Sequence, residues 1–312
     1  MRPLRIFLPG PVYEDSFNEN VCHTLKKMGH EVYTTTPVAY SQSPSFFSVA
    51  KKEVLRIVRR GKASAEEFQL VRRLKELKPD LLLSCTYSLS PEILESVRKH
   101  HIRSAIWWAD PLSNNRDMGL LSNSWDHVFI KDPMGIEKLG IVGVKAEFLP
   151  EAMNPDWHKP LVPRRSTSSI AVAGNYYGFR QALVARLIRA GVSVDLYGSR
   201  PPSWCLPEVA QRHLGKYLVR EEKSRVFGEA FACLNSFSLA EHASSINCRA
   251  FEIAGAAGLQ LIEGRPCIAE YFEPEKEVLV FRSFEELMEK IEWAKGSPRE
   301  AEAIAHAGAR RA

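Results

Sequence analysis

The chain has 312 residues, a length typical of two domains, and its hydrophobic fraction of 45% and charged fraction of 25% are those of an ordinary globular protein. This balance excludes an intrinsically disordered chain. The net charge of +5 suits an anionic ligand, but it does not by itself indicate nucleic acid.

The cysteines and the N-terminus bear on the compartment. The six cysteines are scattered, without CxxC or paired Cys/His spacing, which argues for reduced thiols and against a structural zinc site. The first apolar segment begins at Leu4 and is far too short for an export signal or a membrane span. We therefore expect a cytoplasmic protein.

The first half alternates short apolar segments with amphipathic helical patterns. Helices are predicted to begin near Ser16, with Gly29 as the stop, and near Pro91, and another runs through Leu74. Strands are predicted at 4–8, 30–34, 80–84, 104–108, 127–130 and 146–149. Strands separated by single helices cannot pair as hairpins, so this order predicts a parallel sheet.

A proline-rich polar stretch, 150–169, then interrupts the pattern and predicts an interdomain linker, with domains at 1–160 and 161–312. The alternation restarts with strands at 170–173, 192–197, 231–234, 259–262 and 278–281 and helices at 180–190 and 247–257. The final helix is predicted to begin near Ser283, where Ser283 and Glu286 match a capping box. The predicted fold class is α/β, with two Rossmann-like parallel-sheet domains facing a cleft. This narrows the function to enzymes and two-lobed binding proteins.

The segment 173–180 (AGNYYGFR) follows a strand and opens a helix. Backbone N–H groups at Gly174 and Asn175, together with the helix N-terminus, could cradle a phosphate, and Arg180 is placed to add positive charge to a pyrophosphate. The alternative is a tight turn whose glycines serve only the turn. The dinucleotide fingerprint GxGxxG is absent, which counts against a dehydrogenase.

A second segment, 244–258, begins with the capping residues Ser244, Ser245 and Asn247 and continues as a helix of small residues. Glu252 lies on this helix, and a carboxylate among apolar residues needs a hydrogen-bonding partner. The hydroxyl pair of a ribose would fit, with phosphates near the helix N-terminus. The alternative is a surface ion pair between Glu252 and Arg249.

These residues resemble the donor-binding segment of GT-B glycosyltransferases, most closely the spore-maturation CgeB-like group, through the pattern Asn-x-Arg-x-Phe-Glu at 247–252. The resemblance extends to 79–83, 108–111, 150–160, 196–198 and 234–235. It implies a hexosyltransferase-like enzyme that uses a nucleotide diphosphate sugar as its donor, with no cofactor and no essential bound metal. It also places Gly198 at a strand end of the donor-binding domain, and it places Arg249, the arginine of the matched pattern, among the donor-binding residues.

The chain departs from this family at two places. Retaining members often carry a second glutamate eight positions before the ribose-binding one, where this chain has Ser244, so the hexose contact is missing or supplied by Glu241 or His242. The chain stops at Ala312, where the family typically continues through another helix. Either the last helix is truncated or the helix that crosses back to the first domain is lost.

On the acceptor side, Gly10, Tyr87 and Asp110 each follow a strand of the first sheet and are expected to face the cleft. Asp110 is the candidate catalytic residue. It could be the general base of an inverting transfer, could orient a sugar in a retaining one, or could be a turn carboxylate before Pro111. His158 is expected to be a packing residue of the linker.

The basic amphipathic stretch 51–60 could contact a membrane surface, but a solvated helix face is the favoured interpretation. The leading hypothesis is a glycosyltransferase with an unknown acceptor: a saccharide, a protein or a small molecule. The alternatives are a nucleotide-sugar epimerase of the same architecture, a two-lobed binding protein, and an inactive relative that only binds the nucleotide sugar. No nucleic-acid partner is expected.

Overall fold

The computed structural model describes residues 2–35, 65–115, 119–122, 124–161, 167–240 and 242–312. The chain forms two compact units, Met1–Pro150 and Glu151–Ala312. The basic stretch 51–60 and Glu241 lie outside the described residues. Residues 151–160, which the sequence placed in the first domain, pack within the second unit, where the Lys159 backbone N–H donates to Ser224 Oγ.

The first unit is a parallel sheet with helices between its strands. The six described strands lie in the order β2-β1-β3-β4-β5-β6, and every pair is parallel. They are β1 (Arg5–Leu8), β2 (Glu31–Thr34), β3 (Leu81–Cys85), β4 (Arg103–Trp108), β5 (His127–Ile130) and β6 (Glu147–Phe148). The helices, numbered as described, are α1 (Phe17–Lys27), α2 (Ala65–Leu77), α3 (Pro91–Lys99) and α4 (Pro133–Ile141).

Local signals set the ends of α1 as predicted. Ser16 caps the helix by accepting a hydrogen bond from the Glu19 backbone N–H, and the Glu19 carboxylate accepts from the Asp15 N–H. Gly29 follows the helix with a φ of +89°, a conformation that glycine adopts without a Cβ penalty. Phe7 and Ile106, on β1 and β4, are fully buried in the core between sheet and helices.

The second unit repeats this architecture. Its five described strands lie in the order β11-β10-β9-β7-β8, again all parallel. They are β7 (Ile170–Ala173), β8 (Val194–Tyr197), β9 (Ala232–Asn235), β10 (Gln260–Glu263) and β11 (Leu279–Phe281). The helices are α5 (Gly178–Arg189), α6 (Pro207–Ala210), α7 (Arg220–Glu229), α8 (Cys248–Gly255), α9 (Ile268–Tyr271), α10 (Phe284–Gly296) and α11 (Pro298–Arg311).

The terminal helix α11 is an addition to the predicted elements. The sequence placed the last helix at Ser283, and the structure has α10 there, capped by the Ser283 hydroxyl, followed by α11. Helix α11 packs closely in the second unit at Gly308, where a Cβ would lie 2.6 Å from the Glu277 carbonyl oxygen and 3.7 Å from the side chain of Ala254 on α8. Helices α4 and α7 were also not predicted.

Within the described part of the chain, every helix is too short or too polar to cross a lipid bilayer.

Candidate functional site

The loop that follows β7 lies against two other segments at the carboxyl end of the second sheet. Gly174 has a φ of +117°, and a Cβ there would lie only 2.6 Å from Nη2 of Arg249 on α8. Gly198, which follows β8 with a φ of +126°, is equally close, because its Cβ would lie 2.7 Å from the Gly174 carbonyl oxygen. A positive φ and this close approach both favour glycine at each position. Gly174, Gly198 and Arg249, all predicted donor-site residues, therefore lie together.

Of the two arginines at this site, Arg249 is the more exposed to solvent. Arg249 is half-buried in the first turn of α8 and its side chain reaches back over Gly174. Its Nε atom is buried and has no hydrogen-bond partner among the described residues. A buried N–H group without a hydrogen-bond partner favours binding of an anion that can accept a hydrogen bond.

Arg180 lies in a different environment, beneath the loop, and is only 6% exposed. Its guanidinium donates to the Asn175 carbonyl oxygen at 2.7 Å, and to the carbonyl and hydroxyl oxygens of Ser236 at 2.8 and 3.2 Å. It also lies 5.2 Å from the ring centroid of Tyr177. Arg180 therefore ties the loop after β7 to the loop after β9.

The N-terminus of α8 is capped as the sequence predicts, and the cap belongs to a buried amide network. Asn247 Oδ1 accepts from the Ala250 backbone N–H at 3.1 Å. Asn247 and Asn235, at the end of β9, exchange two hydrogen bonds of 3.1 Å. Asn235 also donates to Gln260 Oε1 at 3.0 Å, and Gln260 Nε2 donates to the Ala250 carbonyl oxygen at 3.1 Å. This network joins β9, β10 and α8.

Ser244 and Ser245 organise the loop before α8. Ser244 Oγ lies 2.9 Å from His242 Nδ1. Ser245 is buried, and its hydroxyl donates to the His242 carbonyl oxygen at 3.2 Å. Arg265 donates to this same carbonyl and, at 3.3 Å, to that of Ser245. The loop that leads into the capped helix is therefore fixed at several points.

Glu252 lies one turn further along α8 and pairs with a residue other than Arg249. Its Oε1 accepts from Lys223 Nζ at 2.8 Å and lies 3.7 Å from His158 Nε2. Burial on its own would raise the pKa of the Glu252 carboxyl, but the electrostatic effects of Lys223, His158 and Arg249 outweigh it and lower the pKa to about 2. Glu252 is thus a buried carboxylate that is ionised at neutral pH.

Sequence reasoning missed Lys223 and underestimated His158. Helix α7, which carries Lys223, is strongly polar and buries only Ser224 and Phe227, so it has no apolar periodicity to reveal it. His158 is 1% exposed, as expected of a packing residue, but it packs beside Glu252. Gln260 was hidden inside an apolar strand pattern, and Asn235, which the resemblance matched at a strand end, was given no role in the site.

The predicted acceptor-side residues lie in the first unit, at the carboxyl ends of adjacent strands. Gly10, after β1, has a φ of +102°, and a Cβ there would lie 3.1 Å from Tyr87, after β3. Asn18 lies on the other side of Gly10 and donates to the Pro11 carbonyl oxygen at 3.0 Å. Asp110 is exposed and follows β4, in the turn that leads through Pro111 into a short 3-10 helix.

A family comparison gives the second unit a likeness to glycosyltransferases. Residues 179–312 match the family described as "Glycosyl transferase-like". This range begins just after Gly178 and includes the whole of α8 with Glu252. Among curated protein sequences, none matches the chain significantly.

Solved structures with similar folds cover nearly the whole chain. Sucrose-phosphate synthase from Thermosynechococcus elongatus has a TM-score of 0.65 and 14% identity, over 99% of this chain and 94% of that one. HepE from Anabaena in complex with UDP-glucose has a TM-score of 0.65 and 10% identity, over 98% and 94%. A mutant of BGT from T4 phage in complex with UDP-glucose has a TM-score of 0.62 and 14% identity, over 98% and 95%.

At such low sequence identities, the similarity to solved structures is evidence for the fold alone. It confirms the predicted fold class, an α/β protein of two Rossmann-like parallel-sheet domains with GT-B glycosyltransferases as its structural neighbours. The second of these domains carries the sequence pattern of the glycosyl transferase-like family.

Proposed function

We propose that the protein is a glycosyltransferase that takes a sugar from a nucleoside diphosphate sugar bound to its second unit. The observation that carries the proposal is the convergence of Arg249, the glycine loop at Gly174 and the capped N-terminus of α8, with the ionised Glu252 one turn away. Similar folds bind UDP-glucose in HepE and in the T4 phage enzyme, which supports a donor of this class.

The diphosphate is assigned to Arg249 and to the ends of two helices. The α8 N-terminus is capped by Asn247, and α5 begins at Gly178 without a side-chain cap, so both can direct backbone N–H groups at phosphate oxygens. Arg249 adds a full positive charge next to the loop, in place of the Arg180 that the sequence favoured. Two helix ends and an arginine can neutralise a diphosphate, so we propose transfer without an essential metal.

The ribose is assigned to Glu252. Among the described residues, Lys223 donates to Oε1 of this carboxylate and His158 Nε2 lies 3.7 Å from the same atom, which leaves Oε2 for a hydroxyl pair. Because the pKa of this carboxyl is lowered to about 2, the group accepts hydrogen bonds throughout the physiological pH range.

The acceptor is assigned to the first unit, at the edge that carries Gly10, Tyr87 and Asp110. Asp110 is proposed as the general base for the acceptor hydroxyl, because an exposed carboxylate at the carboxyl end of a parallel strand is accessible to substrate. The CgeB-like subgroup and the cytoplasmic location remain part of the proposal, and they rest on the motif at 247–252 and on the scattered cysteines.

Binding experiments with the purified protein test the proposal. Calorimetry with UDP-, GDP- and ADP-glucose should find at least one donor that binds, in buffer with EDTA. Arg249→Met should weaken this binding about tenfold to a hundredfold, the effect of losing a hydrogen bond to a charged group. Arg186→Met is the matched control, because it removes an exposed arginine paired with Glu285 on the helix face of the same unit.

Two results would contradict the proposal. Unchanged donor affinity in Arg249→Met would contradict the assignment of the diphosphate to Arg249. A strict requirement for a divalent metal in binding or turnover would contradict the metal-independent mechanism. Turnover is measured as nucleoside diphosphate release in the presence of saccharide, protein and small-molecule acceptors.

A further inference from the structure

Among the described residues, the polar contacts of the Glu252 carboxylate are made to one of its two oxygens. Lys223 Nζ donates to Oε1 at 2.8 Å, and His158 Nε2 lies 3.7 Å from this same atom. The Lys223 and Glu252 side chains are only 13% and 11% exposed, and that of His158 is 1% exposed. The lysine comes from α7, the histidine from the segment before β7, and the carboxylate from α8. Three separate pieces of chain therefore meet at one carboxylate oxygen.

We propose that Lys223 is a positioning residue for ribose recognition, which fixes Glu252 Oε1 so that Oε2 is presented to the ribose hydroxyls. The inference deepens the proposed function and rests on it. Lys223 touches neither the ribose nor the phosphates and acts only through the carboxylate.

The burial of this pair favours positioning over simple stabilisation. A buried ion pair loses much of its Coulombic gain to desolvation, so two apolar side chains of similar size would stabilise the fold as well or better. The other Lys–Glu pairs described in the second unit have a largely exposed carboxylate, as in Lys290–Glu275, whose glutamate is 51% exposed. Lys223 keeps the Glu252 carboxylate ionised and in one orientation, at a position where an apolar side chain such as leucine would also stabilise the fold.

The test measures the preference for ribose, which a purely structural ion pair would not set. The ribo and 2′,3′-dideoxy forms of UDP, GDP and ADP are titrated by calorimetry into the full-length wild type and its variants. In the wild type, the ribo form of the nucleotide that binds should be favoured about tenfold to a hundredfold. Lys223→Met should reduce this preference to about threefold or less, and Lys223→Arg should retain most of it.

Two further variants keep the result interpretable. Lys290→Met removes the half-buried lysine of α10 that pairs with the exposed Glu275, and it should leave the preference unchanged. Lys223→Met leaves a buried carboxylate without its main partner, so thermal unfolding checks each variant, and Lys223→Gln, which keeps a neutral donor, replaces it if it does not fold.

The outcomes separate this inference from the function on which it rests. If Glu252→Gln abolishes the ribose preference and folded Lys223→Met or Lys223→Gln retains it, Lys223 has no positioning role and the ribose site stands. If Glu252→Gln retains the wild-type preference, or no nucleotide binds the wild type, both are overturned. Loss of the preference in the Glu252 and Lys223 variants, but not in Lys290→Met, supports the inference.

Discussion

Replacing Gly174 with alanine should disable the donor site through Arg249. The new Cβ would lie 2.6 Å from Nη2 and 2.9 Å from Cζ of the guanidinium, so the arginine side chain must move off the loop. The backbone φ of +117° adds strain of about 1–3 kcal/mol for a residue with a side chain. If Arg249 can no longer donate to a phosphate, the lost hydrogen bond costs about 1.5–3 kcal/mol, or roughly tenfold to a hundredfold in donor Kd.

A double-mutant cycle assigns the loss to this contact. Calorimetry measures donor Kd in Gly174→Ala, Arg249→Met and the double variant, and the alanine should cost less than about threefold when the arginine is already absent. Gly191→Ala is the matched control, because Gly191 also has a positive φ, +79°, follows α5 away from the site, and has nothing within 4 Å of a Cβ there. A folded Gly174→Ala protein with wild-type donor affinity would refute the reasoning, as would an equal loss in both backgrounds.

Three further changes have specific expected outcomes. Asn247→Ala should lower the free energy of unfolding by about 2 kcal/mol, because it removes the cap of α8 and the two hydrogen bonds exchanged with Asn235, whereas Asn247→Asp keeps the cap oxygen and should cost less; urea titration measures both. The pKa of Glu252, about 2 in the folded state against 4.5 as its ordinary value, contributes stability above pH 4.5 that is lost as the pH falls towards 2. Acidification from pH 6 to 3 should therefore destabilise the wild type by about 2 kcal/mol more than Glu252→Gln, and equal losses in urea titrations would show that the carboxylate is not stabilised. Asp110→Asn should lower kcat about a hundredfold and leave donor Kd unchanged, and a variant with normal turnover would exclude Asp110 as the base.

The fold was predictable because its signals are local. Each predicted strand is a short apolar run, and the start and end of α1 follow from Ser16 and Gly29. Helix α4 escaped prediction although Asp132 caps it and Pro133 opens it, whereas two other helices that were not predicted lack an apolar face of large residues. Helix α7 is too polar to show an apolar face, and α11 buries mainly small residues, Ala301, Ala305 and Gly308. The two parallel sheets follow from the order of elements alone.

Much of the candidate site was predicted from residues that are close in sequence. Asn247, Arg249 and Glu252 lie on one turn and a half of helix, and they were selected by a capping pattern, a carboxylate on an apolar helix and the resemblance to a family pattern. Which cation meets which anion depends on tertiary contacts. Glu252 pairs with Lys223, which lies twenty-nine residues away. Arg180 donates hydrogen bonds to the backbone carbonyls of Asn175 and Ser236. No rule of residue spacing indicates either contact.

Because α11 lies close to α8, a change in α11 can affect the candidate donor site without contacting it. At Gly308 the terminal helix has no room for a side chain, since the Glu277 carbonyl fills the space on one side and Ala254 lies next to it on the other. Ala254 follows Glu252 by two residues on the same short helix. A bulky residue at 308 should therefore change nucleotide affinity at a distance, so α11 offers a position for tuning the protein without altering any ligand contact.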